Sequence, residues 1–569
     1  MAHFHTKRKK GRPYLYVREI ARVNGKPKVV SQIYIGSPQR VAELAKGSIG
    51  AVKLKVEEFG SLWAANEIDK EIDLAAIVDE VAGKDPREDG PSVGEYFLYC
   101  VFNRMCEATS KNKLASWYEN TAIQSIRAVA TSQLTSSRYW EKWERVSEDD
   151  LKKVARVFFE KVWALAGPSA DCLLFDTTNY YTYLASNTES KLAKRGKNKA
   201  GKHHLRQVGL GLLVERAKRL PLYYCVYPGN LHDSRQFEAV LREMFAVVTD
   251  LCQTKERLTL VIDKGMNSKN NFALIDEHAR VHFVTTYSTY YEPSLAQTDL
   301  KAFEVLDTEE NKGLSADERV LVFRTSGQYW GKERSVVVTY YPKTARKQSY
   351  SLLAKLATVR DELLAMRQKV RQRQPHWRNP EMIKERYLNL CEGLHLPSDL
   401  YELEFTQSPE SCSMSFRKDV FKVERKLKGL GKNIIISDNT DWTTSEIVRA
   451  SLDRWRVESA FRQSKDDDLV AMLPIRHFTD SKISCHLFSC VVALTYLRLL
   501  ELKLKEHGVN RTANDVMEDM RRLHSVLILS QSKRKPKRQL EIPTKTQAEV
   551  LSAFGHYVDD SGVLHQKHP

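Results

Sequence analysis

The sequence contains no Cys-x-x-Cys pair: its nine cysteines are scattered and odd in number. That argues against a disulfide framework and a structural zinc site, and it fits a reducing, cytoplasmic compartment. Long uncharged apolar runs are missing as well. The N-terminal stretch from Met1 to Lys10 turns to Lys7-Arg8-Lys9-Lys10 where a signal peptide would need its apolar core. The most apolar window, Ser484 to Leu502, carries His486 and Arg498 and is short for a bilayer, so it predicts a buried helix and no membrane partner. Acidic residues are in deficit, 72 against 89 Lys and Arg, which leaves a formal net charge of +17. Such an excess favours an anionic partner, nucleic acid first.

What is present reads as several units, because 569 residues exceed one core. Residues 1–45 combine a basic arm, Lys7 to Arg12, with an alternating Tyr/Val/Ile pattern from Tyr14 to Ile35. Asn24-Gly25 breaks that pattern and predicts a β-hairpin. Residues 46–167 are helical in pattern, with Ser147-Glu148-Asp149-Asp150 starting one helix, and are assigned to a separate DNA-binding domain. Residues 168–298 alternate strand-like and helix-like stretches, the α/β signature. Residues 299–440 form a β-rich insertion with one long helix, whose Leu352, Leu356, Val359, Leu363, Met366 and Val370 recur at four-three spacing, suited to core packing or to a dimer seam. Within it Val420 to Val423 reads as strand. Residues 441–510 return to helix, and 511–569 read as a C-terminal tail with a basic cluster, Lys533 to Arg538.

Three acids stand out. The run Cys172-Leu173-Leu174-Phe175 ends in Asp176, read as a strand end with Thr177 and Thr178 as turn residues. Leu258-Thr259-Leu260-Val261-Ile262 ends in Asp263, before a Lys264-Gly265 turn and a helix near Ser268. Strand ends in open α/β sheets are where ligands and catalytic groups gather, although Asp263 also suits a turn cap. A continuous helix is predicted from Ser445 to Lys465. On it Arg454, Glu458, Arg462 and Lys465 share a sector, beside Val457, Ala460, Phe461 and Ser464. A salt-bridged surface helix would look similar. Three cations around one acid exceed what pairing needs and suit a groove that receives phosphate. Asp176 also suits a phosphatase nucleophile, but Thr178 stands where that chemistry needs a second Asp.

The spacing Arg454-x3-Glu458-x6-Lys465 resembles the signature of transposases of the insertion-sequence IS4 superfamily, and the chain is similar to its IS1634-type members. The resemblance runs through Asn24-Gly25, Asn103-Arg104, Ser110-Lys111, Phe175 to Thr178, Pro228-Gly229-Asn230 with Asp233, and Asp263-x-Gly265. Ser451 stands where the signature has Tyr. The resemblance implies an RNase H-like catalytic core, interrupted by the insertion, in which Asp176, Asp263 and Glu458 are the catalytic and metal-binding residues. They would hold two Mg2+ ions, with Mn2+ as a substitute, while Arg454, Arg462 and Lys465 bind DNA. It further implies DNA transposition: cleavage at terminal inverted repeats, strand transfer of the 3′-hydroxyl into target DNA, a homodimer pairing two ends, and a bacterial, nucleoid-associated location. A catalytically inactive or domesticated DNA-binding protein of the same fold is the alternative.

Overall fold

The computed structural model describes residues 2–9, 12–23, 26–37, 52–83, 90–167, 172–185, 187–196, 201–202, 204–231, 238, 240–246, 257–408, 411–464, 469–473, 475–530 and 536–567. The chain opens with strands β1 (Ala2–Lys9), β2 (Arg12–Val23) and β3 (Lys26–Gly36), in the order β1-β2-β3. The expected basic arm is therefore largely a strand: β1 pairs with β2 from Ala2↔Glu19 to Lys9↔Arg12. Pairing satisfies backbone groups that an arm would leave to water and covers one edge of the β2–β3 hairpin. The Asn24-Gly25 turn itself lies outside the described residues.

After β4 (Val52–Glu58) and a group of helices, the chain builds a nine-stranded mixed sheet. Its strands are β5 (Cys172–Thr182), β6 (Arg206–Glu215), β7 (Pro221–Pro228), β8 (Leu258–Ile262), β9 (Val281–Tyr287), β10 (Glu304–Val305), β11 (Leu321–Tyr329), β12 (Lys332–Tyr340) and, after an excursion, β15 (Lys432–Ser437). The spatial order is β10-β11-β12-β15-β9-β8-β5-β6-β7. β5, β8 and β9 run parallel to one another and the other pairs are antiparallel. Central strands read as unbroken apolar runs because both faces are covered, as in the fully buried β8.

The long helix Asp480–Glu506 explains the packing of the rest. By length and composition it could cross a membrane, yet its apolar window is 94% buried inside the protein. A helix apolar all round needs cover on every side. The helices Val93–Cys106 and Glu148–Ala166 and strand β7 supply it. The helical segment expected as a separate domain consequently shares one hydrophobic core with the sheet, running from Phe59 to Ala553.

Residues 342–428 fold around a core of their own. The seam of the helix Pro342–Arg371, from Leu352 to Val370, packs with Ile383, Tyr387, Leu400, Tyr401, Met414 and Val423. Strands β13 (Tyr401–Ser408) and β14 (Ser411–Lys418) form a hairpin there. Val420–Lys428 is a helix rather than the expected strand, because Asp419 caps it by accepting from the Lys422 N–H at 2.9 Å and only Val423 of its apolar residues is buried. The expected C-terminal tail is also folded. A helix, Ala513–Arg521, precedes β16 (His524–Ser530), which pairs with both β4 and β17 (Lys537–Leu540). Of the basic cluster, 533–535 lie outside the described residues, and Arg538 pairs with the buried Glu57 at 2.5 Å.

Gly229, at the end of β7, marks the tightest backbone crossing near the site. Its N–H donates to the Leu192 carbonyl at 3.1 Å, and its carbonyl accepts from Gln207 Nε2 at 2.7 Å. A Cβ there would overlap the Gln207 carbonyl. Gly229→Ala is expected to cost about 1–3 kcal/mol through overpacking, read as a lower urea midpoint with an unchanged slope.

Candidate active site

The site begins with the parallel ladder of β5 and β8. Leu173, Leu174 and Phe175 are buried, and the register runs Cys172↔Thr259, Leu173↔Leu260, Leu174↔Val261. Two residues further along this register, Asp176 stands level with Asp263. Alternation gives both the same sheet face, on strands about 4.8 Å apart. Asp263 keeps an extended backbone, φ −78° and ψ 152°. β8 ends at Ile262, so nothing from β8 covers the β5 edge at Asp176.

The expectation that Asp176 ends its strand is corrected. β5 runs on to Thr182, and Thr177 and Thr178 pair with Gly211 and Leu210 of β6. Thr-Thr-Asn-Tyr-Tyr-Thr is rich in residues that favour a pleated surface, and β6 is long enough to pair with all of them. Asp176 is therefore held from one side within a rigid strand, half-buried, with its Oδ1 accepting from the Thr177 N–H at 2.8 Å.

Asp263 fills two roles. Its Oδ2 accepts from the Gly265 N–H at 3.2 Å, the turn-capping role, and its Oδ1 receives Arg454 Nη1. The other arm of the same guanidinium, Nη2, donates to Glu458 Oε1 at 3.2 Å. One cation thus joins the acid after β8 to the acid on the helix. Side-chain exposures of 25% for Arg454, 30% for Asp263 and 46% for Glu458 limit each ion pair to about 0–1 kcal/mol of stability.

Arg454 meets Glu458 by the i,i+4 spacing of a helix. Between Thr444–Asp453 and Trp455–Ser464 it is a single turn residue whose backbone stays helical, φ −53° and ψ −28°, so the predicted helical path continues across it. Arg456 braces this junction: its Nε donates to Asp453 Oδ1 at 3.0 Å and its Nη1 to the Arg216 carbonyl at 2.8 Å. The second helix lies against β5 and β6 through Val457, Ala460 and Phe461, all buried, as its apolar sector predicts. Beyond it, the Val470 N–H donates to the Arg104 carbonyl at 2.7 Å, and Arg104 Nη1 donates to the Ala471 carbonyl at 3.2 Å. Of the motif positions Asn103-Arg104 and Ser110-Lys111, Arg104 therefore braces the chain just after the Glu458 helix. Lys111 sits buried with its Nζ 2.9 Å from Cys100 Sγ. Burial alone would raise the Cys100 thiol; Lys111 and Arg104 outweigh it and hold the thiol below its usual value.

The cationic stripe is divided. Arg454 turns to the acids, whereas Arg462 lines a cleft with Arg219, Trp455, Arg498 and Lys505. Lys465 and Asp233 lie outside the described residues; Asp233-Ser234 also reads as the cap of a helix starting near Arg235, and of that stretch residues 238 and 240–246 are described and helical. Among the described residues no group of three or more His, Cys, Asp or Glu is arranged to hold a metal ion. The structure aligns Asp176 with Asp263 through strand register and links Asp263 to Glu458 through Arg454.

The sequence pattern described as the transposase DDE domain matches residues 168–496. Among solved structures, the chain is similar to one described as the piggyBac transposase synaptic complex with hairpin DNA, determined by cryo-EM. The TM-score is 0.37 and the identity 8%, over 82% of each chain. No curated protein matches the chain.

Phe461, 5% exposed, fastens the Glu458 helix to the sheet. Phe461→Ala is expected to cost about 3–5 kcal/mol, measured as the shift in denaturant unfolding free energy.

Proposed function

The chain belongs to the family described as the transposase DDE domain, and on that premise we propose that it is an insertion-sequence transposase, of IS4-like and IS1634-like type, that cuts at the ends of its element and joins the freed 3′-hydroxyl to target DNA. The observation that supports this reading is the register of the β5–β8 ladder, which, carried two residues past its last pair, matches Asp176 with Asp263, together with Arg454, which joins Asp263 to Glu458. The order β7-β6-β5-β8-β9, with β5, β8 and β9 parallel, supports an RNase H-like core. The body formed by residues 342–428 falls between Asp263 and Glu458 in sequence, where the resemblance expects an insertion.

Carboxylate oxygens are the donors that Mg2+ takes, with Mn2+ as a substitute. Asp176, Asp263 and Glu458 would hold two such ions once Glu458 leaves Arg454, and its exposure makes that exchange inexpensive. Bound metal supplies activation of the attacking oxygen and stabilisation of the leaving one. The chain's own residues hold the acids. The β5–β8 ladder sets two carboxylates side by side, the Phe461 face fixes the helix that carries the third, and Arg454 offsets their repulsion while no other cation is present. Arg462, one turn beyond Glu458, and Lys465 bind DNA phosphate through charge-assisted hydrogen bonds. Pairing two element ends calls for a homodimer, with the terminal inverted repeats and the target as DNA partners.

Asp176→Ala, Asp263→Ala and Glu458→Ala are each expected to abolish Mg2+-dependent nicking of plasmid DNA while leaving DNA binding largely intact. Nicking that survives any one of them removes that residue from the site. EDTA is expected to stop nicking by the unaltered chain; a chain that binds DNA and nicks under no condition is a binding protein of the same fold. Lys465→Ala is expected to lower the slope of log K against log salt by about 0.9, the value of one phosphate contact, measured by titrating binding at several salt concentrations.

A further inference from the structure

A second positively charged feature lies beside the Glu458 helix. It is an open cleft of about 610 Å3 between the β6–β7 turn, that helix, and the C-terminal part of the long helix with the loop after it. Six cations line it: Lys218, Arg219, Arg462, Arg498, Lys505 and Arg511. Glu501 is the acid facing them, and it is already engaged, accepting from Arg498 Nη1 at 2.5 Å and from the Ala513 N–H at 2.7 Å. Arg511 pairs with Asp519 at 2.7 Å, and Lys218 Nζ donates to the carbonyls of Ala166 and Gly167. Arg219, Arg462 and Lys505 have no ion pair among the described residues.

The turn that presents Arg219 is held in place. The buried Glu215 carboxylate accepts from the Ala217 N–H at 2.7 Å and the Lys218 N–H at 2.5 Å, and the Glu215 N–H donates to the Leu220 carbonyl at 2.9 Å. Arg219 itself sits at φ 58°, a left-handed conformation that a non-glycine residue keeps only when its surroundings impose it. Its guanidinium lies 5.1 Å from the ring centre of Trp455. Burial first, then Arg498 and Arg456, disfavour its charge and hold its pKa below the usual value. Glu501 and Asp453 offset part of this, but the cations lining the recess outnumber the one acid that lines it, Glu501; like charges gathered in a partly desolvated recess are costly, and an anion there removes the cost.

We propose that this cleft seats the phosphate backbone of DNA, with Arg219, Arg462 and Lys505 as the contacts that find their counter-charge there. The proposal rests on the transposase reading for the choice of anion. Arg462 follows Glu458 by one helical turn, about 5.4 Å along the axis, so a strand lying in the cleft runs beside the acids proposed to cut. Phosphate contacts of this kind set position and affinity without reading sequence. Arg219 and Lys505 come from segments that no motif in the chain marks, which makes them the informative residues to alter.

The test uses the full chain and two probes, a short duplex of arbitrary sequence and one of its single strands, titrated at several salt concentrations. The double variant Arg219→Gln, Lys505→Gln is expected to lower the salt slope by about 1.8 on the duplex or about 1.4 on the single strand, at roughly 0.9 and 0.7 per phosphate contact, while Arg219→Lys keeps it near that of the unaltered chain. Lys505 is exposed, so Lys505→Gln alone, expected to lower the slope by about half as much, keeps the test decisive if the double variant does not fold. The probe whose loss reaches its own expected value identifies the form of DNA seated. Unchanged slopes on both probes overturn the cleft assignment, even in a chain that nicks plasmid with Mg2+. A chain that never nicks but loses slope in these variants overturns the transposase reading and leaves the cleft as a DNA site.

Discussion

The helix Asp480–Glu506 has no polar face along most of its length, and the fold can be read as the set of answers to that constraint. Val93–Cys106, Glu148–Ala166 and β7 pack against it. Burying each large apolar side chain contributes about 1.5–3 kcal/mol, which outweighs any single ion pair near the site. Its N-terminus is pinned by Asp480, which accepts from Ser190 Oγ and from the Lys191 N–H at 2.7 Å. Its C-terminal part delivers Arg498 and Lys505 to the cationic cleft. One helix therefore unites the core and lines a candidate binding surface, so its burial fixes where that surface stands.

The acids depend on that frame in a different way. Register, which costs nothing beyond the strand pairing already made, sets Asp176 beside Asp263. Among the described residues, the Glu458 carboxylate is held through Arg454, by a hydrogen bond of 3.2 Å on a half-exposed side chain. One carboxylate thus stands within a strand, one follows a strand end, and the third is tied through a cation. This division suits a site that must accept and release charge, because a rigid cluster of three bare carboxylates would drive one of them to protonate.

Much of this was legible in the chain itself. Apolar runs marked β5 and β8, the four-three seam marked the helix of residues 342–371, and Val457, Ala460 and Phe461 marked the buried side of the Glu458 helix. Local patterns could not show what depends on distant partners. Asp176 looked like a strand end because its apolar run stops there, yet pairing with β6 carries the strand onward. That Arg454 reaches Asp263 is invisible in a helical pattern, since the partner lies 191 residues away in the chain. The C-terminal segment looked like a tail because β16 finds its partner in β4, more than 460 residues earlier. Arg219 and Lys505 are unremarkable in sequence and meet only in the fold.

The closure of β16 onto β4, and of the long helix onto Val93–Cys106, also bears on how the protein comes into being. The N-terminal helices leave the ribosome with their apolar faces uncovered, and some 370 residues follow before their cover is made. At about 5–20 residues per second the wait is roughly 20–75 s. A chain arranged in this way reaches its working shape only when its synthesis is nearly finished, so a prematurely ended product would be sticky and inactive, a target for proteolysis with no competence to cut.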